Sequence, residues 1–147
     1  MIRQINVQSA GRVEMLDITA EVRAMAAEAG IDAGICQVYV PHTTAAVTIN
    51  ENTDPCVGRD ILAALNRLVP ETGDYTHAER NSDAHVKSTL VGTSVCIPIE
   101  GGKPVLGTWQ AVYFCEFDGP RHRRVLVNFI GTGDAAGKKG DGGGHGR

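Results

Sequence analysis

Three histidines and one glutamate are the side chains of this sequence best suited to chemistry. His42, Glu51, His77 and His85 flank apolar, strand-like sequence, where polar groups are costly unless something binds to them. Imidazole exchanges protons near neutral pH and is also a common metal ligand. The residue types therefore predict either an acid–base site, with His42, Glu51 and His85 as catalytic groups, or a metal site.

A metal site would need His42, His77 and His85 to converge, with Glu51 or Asp83 as the acidic partner. Their spacing matches no compact signature such as HExxH, so a divalent metal, Mg²⁺ or Zn²⁺, rests on residue type alone. The structural alternative is that these histidines only hydrogen-bond loop backbone, and it is strongest for His77.

Three further side chains are predicted to bind substrate: Asn50, Lys87 and Gln110. Lys87 precedes a serine and offers the cation that a phosphate needs, and Arg59 and Arg121 are expected to help. Neither GxxxxGK[ST] nor GxGxxG occurs, which excludes a Walker-type nucleotide site and permits a small phosphorylated ligand. Asn50 also has a structural alternative, since a strand end often makes Asx-type turn bonds.

Composition excludes several classes of function. The chain has 147 residues, enough for one domain, and a formal net charge of −3 from 14 basic and 17 acidic side chains. Its only dense basic run covers residues 121–124, which argues against nucleic acid or an anionic membrane as partner. No apolar run approaches the roughly 20 residues of a membrane span. We therefore expect a cytoplasmic protein.

The four cysteines agree with that expectation. They are far apart, most have apolar neighbours, and they form no CxxC pair. We interpret them as small buried thiols in a reducing compartment.

Hydrophobic periodicity predicts the elements of the first half. Alternation around residues 4–8 and 12–18 predicts two strands joined as a hairpin. Thr19 is expected to cap a helix over residues 20–29, which Gly30 ends. Strands over residues 35–40 and 45–49 place His42 at the bend between them.

A second helix is the clearest element. Asp54 and Pro55 form an N-cap followed by the first helical position. Apolar residues then recur at helical spacing over residues 57–69, and this stripe is predicted to be core.

The second half reads as a loop followed by strands. Residues 70–84 are polar and irregular, a length that is usually functional or disordered. A short segment around residues 85–90 leads to strands over residues 94–99, 109–117 and 124–130, with Trp109 predicted for the core or a subunit interface. Two helices and about seven strands indicate the α+β class.

Several motifs resemble those of the YjbQ family. They are His42-Thr43-Thr44-Ala45, Thr48-Ile49-Asn50-Glu51-Asn52, Asn66-Arg67-Leu68-Val69-Pro70, Asp83-Ala84-His85-Val86-Lys87, and the stretch from Ser94 through Gly107-Thr108-Trp109-Gln110 to Val112. The resemblance covers residues 1–131 as one YjbQ-like domain and leaves residues 132–147 as a Gly-rich tail, expected to be disordered.

The resemblance implies a small α+β domain with a mixed sheet curved into a half-barrel, two main helices and assembly as a homotrimer. It also implies a secondary thiamine-phosphate synthase activity, which joins a hydroxymethylpyrimidine diphosphate to a thiazole phosphate and releases pyrophosphate. The implied positions are His42, Asn50, Glu51, His85 and Lys87, with Gln110 next. Two alternatives stay open: a metal-dependent hydrolase with a His/Glu site, and a non-catalytic trimeric binder of a small metabolite.

Overall fold

Eight strands form two antiparallel sheets in the computed structural model, which describes residues 2–132. The strands are β1 Ile2–Gln8, β2 Glu14–Asp17, β3 Gly34–Tyr39, β4 Ala45–Glu51, β5 Ser94–Glu100, β6 Lys103–Pro104, β7 Gln110–Glu116 and β8 His122–Gly131. Three helices accompany them: α1 Thr19–Ala29, α2 Pro55–Leu68 and α3 Ser82–Val91. The expected count of two helices is one too few.

The sheets curl into a half-barrel. The larger sheet has the strand order β1-β8-β3-β5-β6, and the smaller sheet has the order β2-β7-β4. This confirms the α+β class and the half-barrel. Every pairing within residues 2–132 is antiparallel, so the expectation of a mixed sheet is wrong. No strand–helix–strand crossover lays two strands side by side in parallel.

The main core lies between the two sheets and is closed by α1. Strand residues alternate across a sheet, and most inward positions of both sheets are aliphatic or Phe, with Arg123 and Glu116 as buried charged exceptions. Val38, Val127 and Phe114 have 0% exposure in this core. Val22 and Ala26 of α1 pack on the same cluster. Gly30 ends that helix in the left-handed conformation, with φ of 68°, as predicted.

The predicted opening hairpin does not form. β1 pairs with β8, and β2 pairs with β7 of the other sheet. The chain crosses between sheets near Ser9, whose amide donates to the Arg121 carbonyl oxygen. Alternation identified both strands correctly but carries no information on their partners. Thr19 is not the predicted N-cap either, since its hydroxyl accepts from the Val112 amide and helps join α1 to β7.

α2 lies on the outer face of the smaller sheet. Asp54 Oδ1 accepts from the Cys56 amide at 2.8 Å, which confirms the predicted cap. Leu62 and Leu65 pack on a second buried cluster that contains Phe117. The prediction that the whole apolar stripe is core is wrong, because the helix contacts the sheet along one edge and leaves Leu68 76% exposed.

α3 shortens the predicted loop, which ends at residue 81 because the helix begins at Ser82. Trp109 is 63% exposed just before β7, so it is not a core residue of the chain. Of the cysteines, Cys36 and Cys115 are buried as predicted. Cys56 and Cys96 are exposed.

The predicted tail lies outside the described residues. Within residues 2–132, no helix is long and apolar enough to cross a membrane.

Candidate functional site

His42 and His85 line one groove, to which different parts of the chain contribute. His42 lies in the segment between β3 and β4, and His85 lies in the first half of α3. Two adjoining cavities are each lined by both histidines and by Thr43. The structure therefore brings together two of the three side chains predicted to be catalytic.

The groove has two lobes that share these residues. We call the first the charged lobe; it has a volume of about 380 Å³ and adds Glu79, Asn81, Asp118, Arg121 and Arg123 to the shared residues. We call the second the hydroxyl lobe; it has a volume of about 420 Å³ and adds Ser88, Thr89, Gly92 and Thr93. Both volumes suit a small organic ligand.

His42 is fixed just beyond the end of β3, beside the neighbouring strand β8 of the larger sheet. Its Nε2 lies 3.0 Å from the amide nitrogen of Arg124 on β8. The pairing of Tyr39 with Leu126, continued two residues further, places Pro41 opposite Arg124. Proline has no N–H to offer a neighbouring strand, and the imidazole of His42 takes the place of a backbone partner.

Burial lowers the pKa of His42 below its usual 6.5, and the charge of Arg123 lowers it further. The backbone contact with Arg124 acts in the opposite direction but does not cancel these effects. His42 is therefore a neutral imidazole at neutral pH, able to donate or accept a proton.

A buried ion pair supports the floor of the charged lobe. Arg123 donates to both carboxylate oxygens of Glu116, at 2.9 and 2.6 Å, and to Thr44 Oγ1 at 2.8 Å. Ser9 Oγ donates to Glu116 Oε1 at 2.6 Å. Burial alone would raise the pKa of Glu116, but the bonds from Arg123 and Ser9 outweigh it and lower the pKa. This network holds the Thr43-Thr44 turn beside His42.

The opposite side of α3 holds a second ion pair. Lys87 Nζ donates to Asp83 at 2.9 Å and to Asn66 at 2.8 Å, and Arg12 donates two bonds to the same aspartate. Lys87 is 1% and Asp83 is 0% exposed. Burial would raise the pKa of Asp83, but the bonds from Arg12 and Lys87 lower it. In this arrangement the Lys87 ammonium group is enclosed and, contrary to the prediction, cannot reach a phosphate ligand in the groove.

His77 lines neither lobe of the groove, but its ring contacts that of His85. The two rings meet edge to face, with centroids 5.3 Å apart. Among residues 2–132, no three His, Cys, Asp or Glu side chains are placed to hold a metal ion. The predicted ligands His42, His77 and His85 thus do not fit a metal centre as the structure places them.

The remaining predicted residues lie at the far end of β4. Glu51 pairs with Gln110 there, about 20 Å along the strand from the His42 end at the usual rise per residue. Their polar groups make local bonds: Asn50 Oδ1 accepts from the Glu51 amide, and Gln110 Oε1 accepts from the Gly107 amide, both at 2.7 Å. One chain does not bring Asn50, Glu51 or Gln110 to the histidines.

The ion pairs beneath the groove were not predicted, although the sequence contains signals for both. Asp83 and Lys87 have the i, i+4 spacing of a helical ion pair. Arg123 shares the inward register of Val125 and Val127 on β8. A charged side chain at an inward-facing position is expected to pair with an opposite charge inside the protein.

Comparison with known proteins agrees with the fold. The family model described as "UPF0047 protein YjbQ-like" matches residues 3–132. A UPF0047 protein of Methanocaldococcus jannaschii is 49% identical over 131 residues, which cover 89% of this chain and 95% of that protein. The UPF0047 protein YugU of Bacillus subtilis is 45% identical over 132 residues, which cover 89% of this chain and 100% of YugU.

Solved structures give the same result. The chain is similar to an uncharacterised conserved protein of the YjbQ/UPF0047 family from Clostridium acetobutylicum, with a TM-score of 0.86, 48% identity, and coverage of 87% of this chain and 99% of that one. A protein of unknown function from Sulfolobus solfataricus gives a TM-score of 0.86 at 34% identity, with coverage of 89% and 96%. The resemblance in the motifs is confirmed, and the chain belongs to the YjbQ (UPF0047) family.

Proposed function

We propose that this protein is a transferase of the thiamine-phosphate synthase type, acting in the groove between His42 and His85. The observation that carries the proposal is that these two imidazoles line two adjoining cavities at once. A reaction between two small molecules needs both of them held beside the reacting atoms. The motif resemblance supplies the reaction type.

The reaction is a displacement at carbon. The ring nitrogen of the thiazole phosphate attacks the methylene carbon of the pyrimidine diphosphate. A C–N bond forms and a C–O bond breaks, the electron pair leaves with pyrophosphate, and the thiazole nitrogen becomes cationic. Charge grows on the departing oxygen, so hydrogen-bond donors placed there lower the barrier.

The groove supplies such donors. A neutral His42 whose Nε2 accepts from the Arg124 amide carries its proton on Nδ1. His85 faces the same space, and Arg121 lines the charged lobe. In this proposal the two histidines and Arg121 stabilise the leaving diphosphate. Because the described residues hold no fitting set of metal ligands, no step is assigned to a protein-bound metal.

The test is direct. The purified full-length protein is incubated with both substrates, and thiamine phosphate is measured by fluorescence after oxidation to the thiochrome form. We expect product from the native protein and a loss of about 100-fold or more in His42→Asn and His85→Asn.

His122→Asn is the matched control, because His122 is exposed at the start of β8. It should keep full activity. Absence of product from the native protein, or equal activity in all three variants, would overturn the proposal. Binding of both substrates without turnover would favour the non-catalytic metabolite binder.

A further inference from the structure

The two lobes of the groove differ in charge. All the acidic and guanidinium side chains along the groove line the charged lobe: Glu79, Asp118, Arg121 and Arg123. The hydroxyl lobe is lined by none. Ligands that fill the two lobes therefore meet different chemistry on either side of His42 and His85.

Arg121 is the cation of the charged lobe that a ligand can reach. Its Nε donates to the Asp118 carbonyl oxygen at 2.7 Å, and its Nη2 donates to Asp118 Oδ2 at 3.2 Å. Asn81 donates to the same carboxylate oxygen at 2.8 Å and helps to fix it. Arg123, by contrast, is buried against Glu116. The guanidinium of Arg121 is thus exposed and oriented, as phosphate recognition requires.

The hydroxyl lobe is suited to an uncharged ring. Two of its hydroxyl donors are already used within the chain: Ser88 Oγ donates to the Ala45 carbonyl oxygen at 2.6 Å, and Thr89 Oγ1 donates to the His85 carbonyl oxygen at 2.9 Å. An anion that entered this lobe would lose water and find no cation there, which is costly. A neutral heterocycle loses little and gains contact with methyl groups and backbone.

We propose that the groove binds two ligands at once: a phosphoryl group in the charged lobe, held by Arg121, and the uncharged ring of a heterocycle in the hydroxyl lobe, with any phosphate that this ring carries directed out of that lobe. The identity of the heterocycle as a thiazole rests on the proposed function, whereas the division of charge does not. In this arrangement His42 and His85 lie between the leaving group and the attacking ring.

Titration calorimetry of the full-length protein tests the division with two simple probes, inorganic pyrophosphate and an uncharged hydroxyethylthiazole. Arg121→Gln should weaken pyrophosphate binding about tenfold, the loss expected for one charged hydrogen bond. The same change should leave thiazole binding within about twofold of native. Thr89→Leu, which narrows the hydroxyl lobe, should weaken thiazole binding and leave pyrophosphate binding close to native.

Two controls place similar changes outside the groove: Arg23→Gln on α1 and Thr108→Leu ahead of β7, both at exposed positions. Neither should alter the binding of either probe. The proposal is overturned if neither probe binds, if each probe displaces the other from the native protein, or if one variant weakens both probes equally. Lobe-specific binding without formation of thiamine phosphate would contradict the proposed synthase activity but would still support the two subsites.

Discussion

His42 Nε2 lies 3.0 Å from the amide nitrogen of Arg124 and 3.2 Å from the carbonyl oxygen of the same residue. Either tautomer of the imidazole therefore has a backbone partner. With Nε2 unprotonated, the amide donates to it and Nδ1 carries the proton. With Nε2 protonated, it donates to the carbonyl and Nδ1 becomes an acceptor. The backbone of Arg124 thus offers a hydrogen-bond partner to either neutral tautomer of His42.

A pH titration of the ring by NMR tests this environment. We expect His42 to titrate below its usual 6.5, because burial and Arg123 disfavour the imidazolium. Near neutral pH the amide bond should favour the tautomer with the proton on Nδ1. The unfolded chain binds this proton more tightly, so the free energy of unfolding falls as the pH drops below 6.5. A midpoint for His42 at or above 6.5 would contradict the expectation.

Glu116→Gln should be strongly destabilising at neutral pH. Removing one charge of a buried pair leaves the other without compensation and costs about 3–5 kcal/mol. Chemical denaturation of the native and variant proteins gives this difference. Glu28→Gln is the matched control, because Glu28 is 67% exposed in its pair with Arg3 and should cost less than about 1 kcal/mol. Equal effects of the two substitutions would disprove the role given to Glu116.

The same variant gives a second readout in acid. The folded protein holds the pKa of Glu116 below its ordinary 4.5. Its contribution to stability is therefore present above that pH and is lost as the pH falls through the lowered folded value. We expect the native protein to lose stability below pH 4.5 more steeply than Glu116→Gln does.

Lys87→Met should affect folding rather than ligand binding. Lys87 is enclosed with Asp83 and Asn66. Loss of a buried ionic partner costs about 3 kcal/mol, the lower end of the range, because Arg12 still pairs with Asp83. Pyrophosphate affinity should stay native, whereas Lys103→Met, at an exposed position, should change neither property. Native stability with lost pyrophosphate binding would instead make Lys87 a ligand contact.

Local signals in the sequence predicted local structure well. The Asp54-Pro55 start of α2 and the left-handed Gly30 that ends α1 follow from backbone geometry within a few residues. His42 at a strand bend is equally local. The partners of strands are not local: β1 meets β8 from the other end of the chain, and alternation cannot specify that choice.

For the candidate site too, local features could be predicted from the sequence, whereas the convergence of remote residues could not. Residue type identified His42 and His85, and the fold brings them to one groove. Glu51 was selected by the same argument and lies at the other end of a strand. Convergence of remote segments depends on sheet order and on buried ion pairs such as Glu116 with Arg123, which single-sequence patterns do not determine.

Glu51→Gln tests whether one chain contains the whole site. Its carboxylate lies at the end of β4 remote from His42, so the variant should keep native thiamine-phosphate formation to within about twofold if the groove of one chain is sufficient. Asp17→Asn, another change of an acid near that end, is the control, since Asp17 accepts from Asn52.

A loss of about 100-fold in Glu51→Gln alone, with native stability, would mean that Glu51 takes part in the reaction. Because one chain separates it from the histidines, the carboxylate would then have to come from a second copy. If Glu51→Gln is inactive, mixing it with inactive His85→Asn protein tests this: activity should recover in mixed assemblies when the site is shared between copies. No recovery would contradict a shared site.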